Sequence, residues 1–277
     1  MSNGTAIQIP RPVVKWVGGK RGIVDTLMKL MPEDYGDYWE PFVGGGALFF
    51  ALHPNPHRAH ISDVNDDLMN MYRTVKRSKN KLMAELDVLS AFQSEDFYYA
   101  IRAEHNINDP ALRAARFVFI NKLCYNGLIR YNSKGQINTP WGHKKNPVTL
   151  YDRENINAVA AALKGVEIAT RSYDKIEPSP GDFVYFDPPY HDAYNSYSKN
   201  GFGDEGQAEL ASFFRALDAR GVLLMLSNSD TPLIRELYDG FNVREITAPR
   251  AVSCKGDGRK PVSELIVTNY EVAHADE

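Results

Sequence analysis

The chain has 277 residues, of which 43% are hydrophobic and 24% charged, with a net charge of -3; this is the composition of an ordinary globular protein, with room for one large domain or two modest ones. Its apolar runs, such as residues 221–226, fall far short of the roughly 20 residues of a membrane span, and its first residues lack the apolar core of a secretory signal, so a cytoplasmic protein is expected. Cys124 and Cys254 stand apart with no Cys/His cluster around either, which argues against a disulfide framework and against a metal site.

In chain order, YGDYWEPFVGGGALFFAL (35–52) reads as a short strand, a glycine turn and an apolar helix, and residues 57–66 as a second strand ending on acidic residues. Together they open a βαβ unit. From residue 67 to about 123 the apolar spacing turns helical, most clearly over 109–123, where Pro110 stands near the start. Residues 124–142 follow, with NSKGQ as a turn between extended, aromatic-bearing arms, the pattern of a hairpin. After residue 150 strands and helices alternate again: strands at 166–173, 181–187 and 221–230, helices at 205–217 and 231–240, and late strands at 241–249 and 263–270. The expected fold is α/β, a Rossmann-like, mostly parallel sheet with flanking helices. Residues 1–66 and 151–277 are expected to form the catalytic domain, and 67–150 an inserted, mainly helical domain bearing the hairpin.

Charge follows the same division. Residues 70–150 carry 13 Lys and Arg against 6 Asp and Glu, while the remainder carries 19 against 29. A basic module within an acidic body suits contact with nucleic-acid phosphates; a solvated, lysine-rich helical surface gives the same count.

In an open α/β sheet ligands bind at the carboxyl ends of strands, and three such ends carry informative residues. At the first, Glu40, Phe42, Gly44 and Gly46 form a glycine turn that allows close backbone approach to a ligand, or simply a tight turn. Asp63, 19 residues after Gly44, has the spacing of an acid that accepts hydrogen bonds from ribose hydroxyls. The pair suggests an adenosine-containing cofactor, although the glycines lack the spacing that seats a pyrophosphate.

The third strand end is VYFDPPY (184–190). An exocyclic aromatic amine is a poor nucleophile because its lone pair is delocalised into the ring. Acceptors placed at its two hydrogens help it become tetrahedral. Asp187 offers one acceptor and the carbonyl of Pro188 the other, with proline torsions fixing the carbonyl's direction and removing competing donors. Tyr190 offers a flat face to a base.

With these residues in view, the chain resembles the Dam family of DNA adenine-N6 methyltransferases, the D12 type with the alpha motif order. The resemblance runs through KWVGGK (15–20), EPFVGGGALFF (40–50), ISDVND (61–66), NKLCYNGLIRYNSKGQINTPWG (121–142), DPPY (187–190), LSNSD (226–230) and ELIVTNY (264–270). It implies S-adenosyl-L-methionine as methyl donor, contacted by Trp16, Lys20, Asp63 and Asp187, with Lys20 suited to the methionine carboxylate. It also implies double-stranded DNA as partner and an adenine flipped out of the duplex onto Tyr190. Arg130 aligns with a base-reading arginine of the family and is suited to bidentate pairing with guanine. Lys15 resembles a lysine that reads an outer guanine. Tyr125, Asn126 and Leu128 are candidate wedges, Asn132 and Pro140 candidate neighbours of the target bases, and Tyr194, Tyr197 and Phe202 candidates for a loop over the site or onto the orphaned strand, with inward packing as the equal alternative. Lys134, Lys144 and Lys145 suit phosphates. GATC is the leading target sequence. An amino-methyltransferase acting on RNA adenine or glutamine and a nonenzymatic DNA-binding or nicotinamide-binding protein are the other readings, and oligomeric state is left open between monomer and dimer.

Overall fold

The computed structural model describes residues 9–55, 57–191, 202–248 and 262–272. Seven strands form along the described chain: β1 (Tyr38–Glu40), β2 (Ala59–Asp63), β3 (Glu167–Thr170), β4 (Phe183–Phe186), β5 (Leu223–Ser229), β6 (Asn242–Ala248) and β7 (Val262–Thr268). The helices are α1 (Val24–Leu30), α2 (Ala47–Ala51), α3 (Asp66–Ser90), α4 (Glu95–Ala103), α5 (Pro110–Leu123), α6 (Arg153–Ala162), α7 (Asp204–Asp218) and α8 (Pro232–Leu237). The sheet order is β3-β2-β1-β4-β5-β7-β6. β1 runs parallel to β2 and β4, and β4 to β5, whereas β7 lies antiparallel between β5 and β6. The order reverses between β1 and β4, and the crevice beyond the carboxyl ends at such a reversal is where open α/β sheets take their ligands.

The chain forms two compact units. One comprises Lys20–Val43, Asn55–Val64 and Arg171–Glu277. At its centre β4 is buried at every position, as a parallel strand covered on both faces must be, which is why its sequence FVYF is continuously apolar. Leu210, Phe214 and Leu217 of α7 join Val184 and Phe186 of β4 and Leu224 and Leu226 of β5 in one core. This packing sets the level at which β4 ends and therefore where Asp187 emerges.

The other unit comprises Met1–Gly19, Gly44–Pro54 and Asn65–Thr170. Asn65 caps α3 by accepting from the Leu68 amide at 2.9 Å, with Asp66 and Asp67 in the first turn, where negative charge suits the helix dipole. α3 departs from helical torsions at Ser78 (φ -145°, ψ 38°). Its buried face, including Leu68, Met71, Tyr72 and Val75, packs on α5, which is capped by Asp109 and, as expected from the sequence, has Pro110 in its first turn. Tyr72 also reaches the glycine turn, its hydroxyl donating to the Gly44 carbonyl at 2.9 Å, and Trp16 lies 6.4 Å from the Phe117 ring of α5. The helices of 67–150 thus pack as part of a larger unit that includes the N-terminal segment and α2.

Beyond α5 comes the hairpin. Its arms are joined by antiparallel bridges at Cys124 with Trp141 and Tyr131 with Ile137 and by Asn138 N–H donating to the Arg130 carbonyl at 2.9 Å. These are isolated pairs, and no named strand forms here. The turn is closed by Asn132, whose side-chain oxygen accepts from the amides of Lys134 and Gln136 at 2.9 and 3.0 Å.

Candidate active site

Asp187 follows the last residue of β4. Its Oδ1 accepts from the Lys20 ammonium at 2.7 Å and from the Ser227 hydroxyl of β5 at 3.2 Å, and the Ser227 hydroxyl lies 2.7 Å from the phenol of Tyr185. Lys20 stands in a short 3-10 turn, Lys20–Gly22, that feeds α1. Its side chain is 6% exposed and that of Asp187 18%. Burial pushes the Asp187 carboxyl above the ordinary aspartate range, with the Lys20 charge and the hydrogen bonds from Lys20 and Ser227 pulling against it.

The same ammonium lies 4.4 Å from the centre of the Tyr190 ring, within cation–π range. The Tyr190 hydroxyl donates to Oε2 of Glu264 on β7 at 2.8 Å. Burial raises the Glu264 carboxyl, with Lys20 and the Tyr190 hydrogen bond opposing and Asp187 adding to the rise. Burial likewise holds the phenols of Tyr185 and Tyr190 well above the usual tyrosine range. Two acids and the Tyr190 ring are therefore organised around one lysine, and the Tyr185 phenol joins them through Ser227. Pro188 is buried and Pro189 exposed; the Pro189 carbonyl accepts from the Gln207 side chain at 2.9 Å.

Three more expected cofactor residues belong to this unit. Glu40, at the end of β1, is buried and accepts from the Tyr38 hydroxyl at 2.8 Å. Phe42 belongs to an aromatic group with Tyr173 at 5.3 Å, Phe202 at 5.8 Å and Phe186 at 6.4 Å. Phe202 thus packs inward at its described position. Asp63 is the last residue of β2 and half-buried.

In the other unit Gly44 and Gly46 both have positive φ, 46° and 69°, which a residue with a Cβ adopts only under strain. A Cβ on Gly44 would stand 2.6 Å from Cδ1 of Trp16, and one on Gly46 3.0 Å from the Phe50 ring. Turn geometry, with half-buried Trp16 against Gly44 and Phe50 against Gly46, therefore accounts for both glycines independently of any ligand.

Along the hairpin, Tyr125, Asn126 and Arg130 are exposed and Leu128 is half-buried. Asn126 takes a left-handed conformation (φ 57°) within the Tyr125–Gly127 turn. The Arg130 amide donates to the Thr139 hydroxyl at 2.7 Å, and the carbonyl of exposed Pro140 accepts from the Tyr125 amide at 3.0 Å. Buried Asn121 ties Lys15 to this turn: its oxygen accepts from the Lys15 amide at 2.9 Å, and its Nδ2 donates to the carbonyls of Lys15 at 2.8 Å and Gly127 at 3.2 Å. A Cβ on Gly127 would meet the Lys15 stem at 2.7 Å. The hairpin is joined to α3 by Tyr131, whose hydroxyl contacts Asn65 at 3.0 Å and Asp67 at 3.3 Å. Lys134 and Lys145 are exposed and Lys144 half-buried. Tyr194 and Tyr197 lie outside the described residues, as does Cys254.

Sequence reasoning assigned no role to Ser227, Glu264, Gln207 or Asn228. The first, second and last stand within the segments LSNSD and ELIVTNY, and the signal available was that polar side chains close otherwise apolar strands.

A sheet with one late strand reversed, and a carboxylate emerging at the end of β4 beside its switch point, defines an α/β enzyme of the Rossmann-like methyltransferase type. Residues 16–252 match the D12 class N6 adenine-specific DNA methyltransferases. The chain is 40% identical to the type II methyltransferase M.MjaIII of Methanocaldococcus jannaschii, over 94% of this chain and 99% of that one. It is also 40% identical to the type II methyltransferase M1.LlaDCHI of Lactococcus lactis subsp. cremoris, over 94% and 95%, and 32% identical to the DNA adenine methylase of Vibrio cholerae, over 92% and 95%. The chain belongs to the D12 class N6 adenine-specific DNA methyltransferase family. Membership brings DNA adenine-N6 methyltransferase activity, S-adenosyl-L-methionine as the methyl donor and double-stranded DNA as the partner.

Proposed function

We propose that this chain methylates the N6 amine of an adenine flipped out of a short duplex sequence, with GATC as the leading target, in the manner of the alpha-class Dam enzymes. The observation that carries this reading is the half-buried Asp187 carboxylate at the end of β4, aimed by Lys20 at 2.7 Å and Ser227 at 3.2 Å and followed by two prolines and an aromatic ring. When bound, S-adenosyl-L-methionine supplies an electrophilic sulfonium methyl group. Its carboxylate and ribose diol fit the donor set of this chain, with the Lys20 ammonium for the first and the Asp63 carboxylate for the second. Trp16, Glu40, Phe42, Gly44 and Gly46 are assigned to the same ligand.

Asp187 accepts one hydrogen of the adenine amine and the Pro188 carbonyl the other, drawing the nitrogen lone pair out of the ring as the new bond to carbon forms. The amine proton released after transfer passes to Asp187 or to water. Tyr190 stacks on the extruded base and offsets part of the unstacking cost of a few kcal/mol. On the DNA side Arg130 reads a guanine and Lys15 an outer guanine, Tyr125, Asn126 and Leu128 enter the duplex, and Asn132 and Pro140 lie beside the target bases. In this reading residues 67–150 supply recognition, and the remainder supplies methyl transfer.

Sequencing methylated adenines at single-base resolution in DNA from a methylation-free host expressing the chain tests the proposal. N6-methyladenine is expected in one short motif, GATC first among candidates. Absence of N6-methyladenine, although the expressed protein binds S-adenosyl-L-methionine, would overturn it.

A further inference from the structure

Gln207 of α7 and Asn228 of β5 are both fully buried and hydrogen-bonded to each other, Asn228 Nδ2 to Gln207 Oε1 at 2.9 Å. The orientation of each amide is dictated by the backbone. Asn228 Oδ1 faces the amides of His191 at 3.1 Å and Ser229 at 2.8 Å; backbone N–H groups only donate, so this atom is the oxygen. Nδ2 then faces Gln207, so the Gln207 atom opposite it is the acceptor Oε1, and Nε2 is left to donate to the Pro189 carbonyl at 2.9 Å.

The relay therefore begins at the carbonyl before Tyr190 and ends at the amide after it. Hydrogen bonds at these two groups fix the peptide planes on either side of Tyr190, and the proline ring fixes φ of Pro189. Ser229 Oγ adds a bond to the His191 carbonyl at 2.6 Å. Backbone leaving a strand through two prolines has no ladder to satisfy it, and aliphatic side chains would fill this buried volume without needing partners.

We infer that Gln207 and Asn228 are positioning residues for methyl transfer, a buried amide relay that fixes the backbone around Tyr190 and with it the direction of the Pro188 carbonyl and the stacking ring. The inference rests on the proposed roles of Pro188 and Tyr190 at the adenine.

The test compares single-turnover methylation by full-length wild type, Gln207→Leu and Asn228→Asp on a duplex carrying the site found by sequencing, with thermal midpoint and S-adenosyl-L-methionine affinity measured alongside. Both variants are expected to bind the methyl donor within about threefold of wild type and to lose at least about tenfold in rate. Asn228→Asp carries a second signature. Its protonated carboxyl can donate to Gln207 Oε1 as the original amide does, so its rate relative to wild type should rise as pH falls from about 8 to about 6, given how far burial raises carboxyl pKa values. Rates within twofold of wild type in both variants, or losses that only track the folded fraction with a flat pH ratio, would overturn the relay. A wild-type chain that leaves the duplex unmethylated would overturn the functional reading and the relay with it.

Discussion

At the end of β4, the polar groups of Asp187, Pro189 and Tyr190 are bonded to side chains from elsewhere in the chain: Lys20, Ser227, Gln207 and Glu264. Along the hairpin, Tyr125, Asn126 and Arg130 are exposed, and the amides of Tyr125 and Arg130 donate to Pro140 and Thr139 within the same segment. The difference reflects two kinds of task. A group that stabilises a developing charge must already be aimed when the reaction starts, whereas a side chain that reads a base edge must reach outward and needs only a fixed point of departure. Substitutions at the strand end should therefore affect chemistry, and substitutions on the hairpin should affect selectivity.

The largest expected effect is at Asp187. Asp187→Ala removes the acceptor proposed for the amine and should lower single-turnover methylation at least about a hundredfold, the scale seen when one preorganised group is lost. DNA affinity, measured by fluorescence anisotropy, should stay near wild type because the hairpin is untouched. Near-normal methylation would remove Asp187 from the mechanism and erase the contrast between the two regions.

A smaller effect of a different kind is expected from Arg130→Ala: a loss of about 1 to 3 kcal/mol in discrimination at one guanine, measured as competition between target and single-substituted duplexes. The rate at saturating DNA should change little. Equal loss of affinity for target and random DNA would mark Arg130 as a phosphate contact and place it with Lys134 and Lys145.

The two regions also differed in how far the sequence disclosed them. The end of β4 was legible because a parallel strand buried on both faces reads as a continuous apolar run, so Asp187 after FVYF marks it by chemistry alone; β2, with His60 and Ser62 buried within AHIS, gave Asp63 a weaker mark. The hairpin was legible as a turn with two arms, but its pairing is confined to isolated bridges, and the Arg130 amide donates to the Thr139 hydroxyl where a regular ladder would use a backbone carbonyl. Gln207 and Glu264 were hidden for a physical reason: each acts on the DPPY segment from far along the chain, and a single polar residue within an amphipathic helix or a late strand has no periodic signature. The glycine turn shows the converse, since residues read as a ligand approach are also explained by Trp16 and by left-handed torsions.

Ser227 gives the smallest expected effect and the sharpest test of how Asp187 is tuned. Its hydroxyl donates to Asp187 Oδ1 at 3.2 Å and so works with Lys20 against the upward push of burial. Activity that needs the Asp187 carboxylate should fall as pH drops through its raised folded-state value, at higher pH than the ordinary aspartate value of 3.8 would give. Ser227→Ala removes one donor that stabilises the carboxylate and should move that acid limb to higher pH. Stability runs the other way. A carboxyl whose pKa is raised by folding contributes most below the unfolded value, and that contribution is lost as pH climbs to the folded value, so the variant should show this loss extended to higher pH. Because the substitution also takes a partner from the Tyr185 phenol, rates must be normalised to the folded fraction at each pH. An acid limb that stays in place after this correction would mean that ionisation of Asp187 does not limit the reaction in this range.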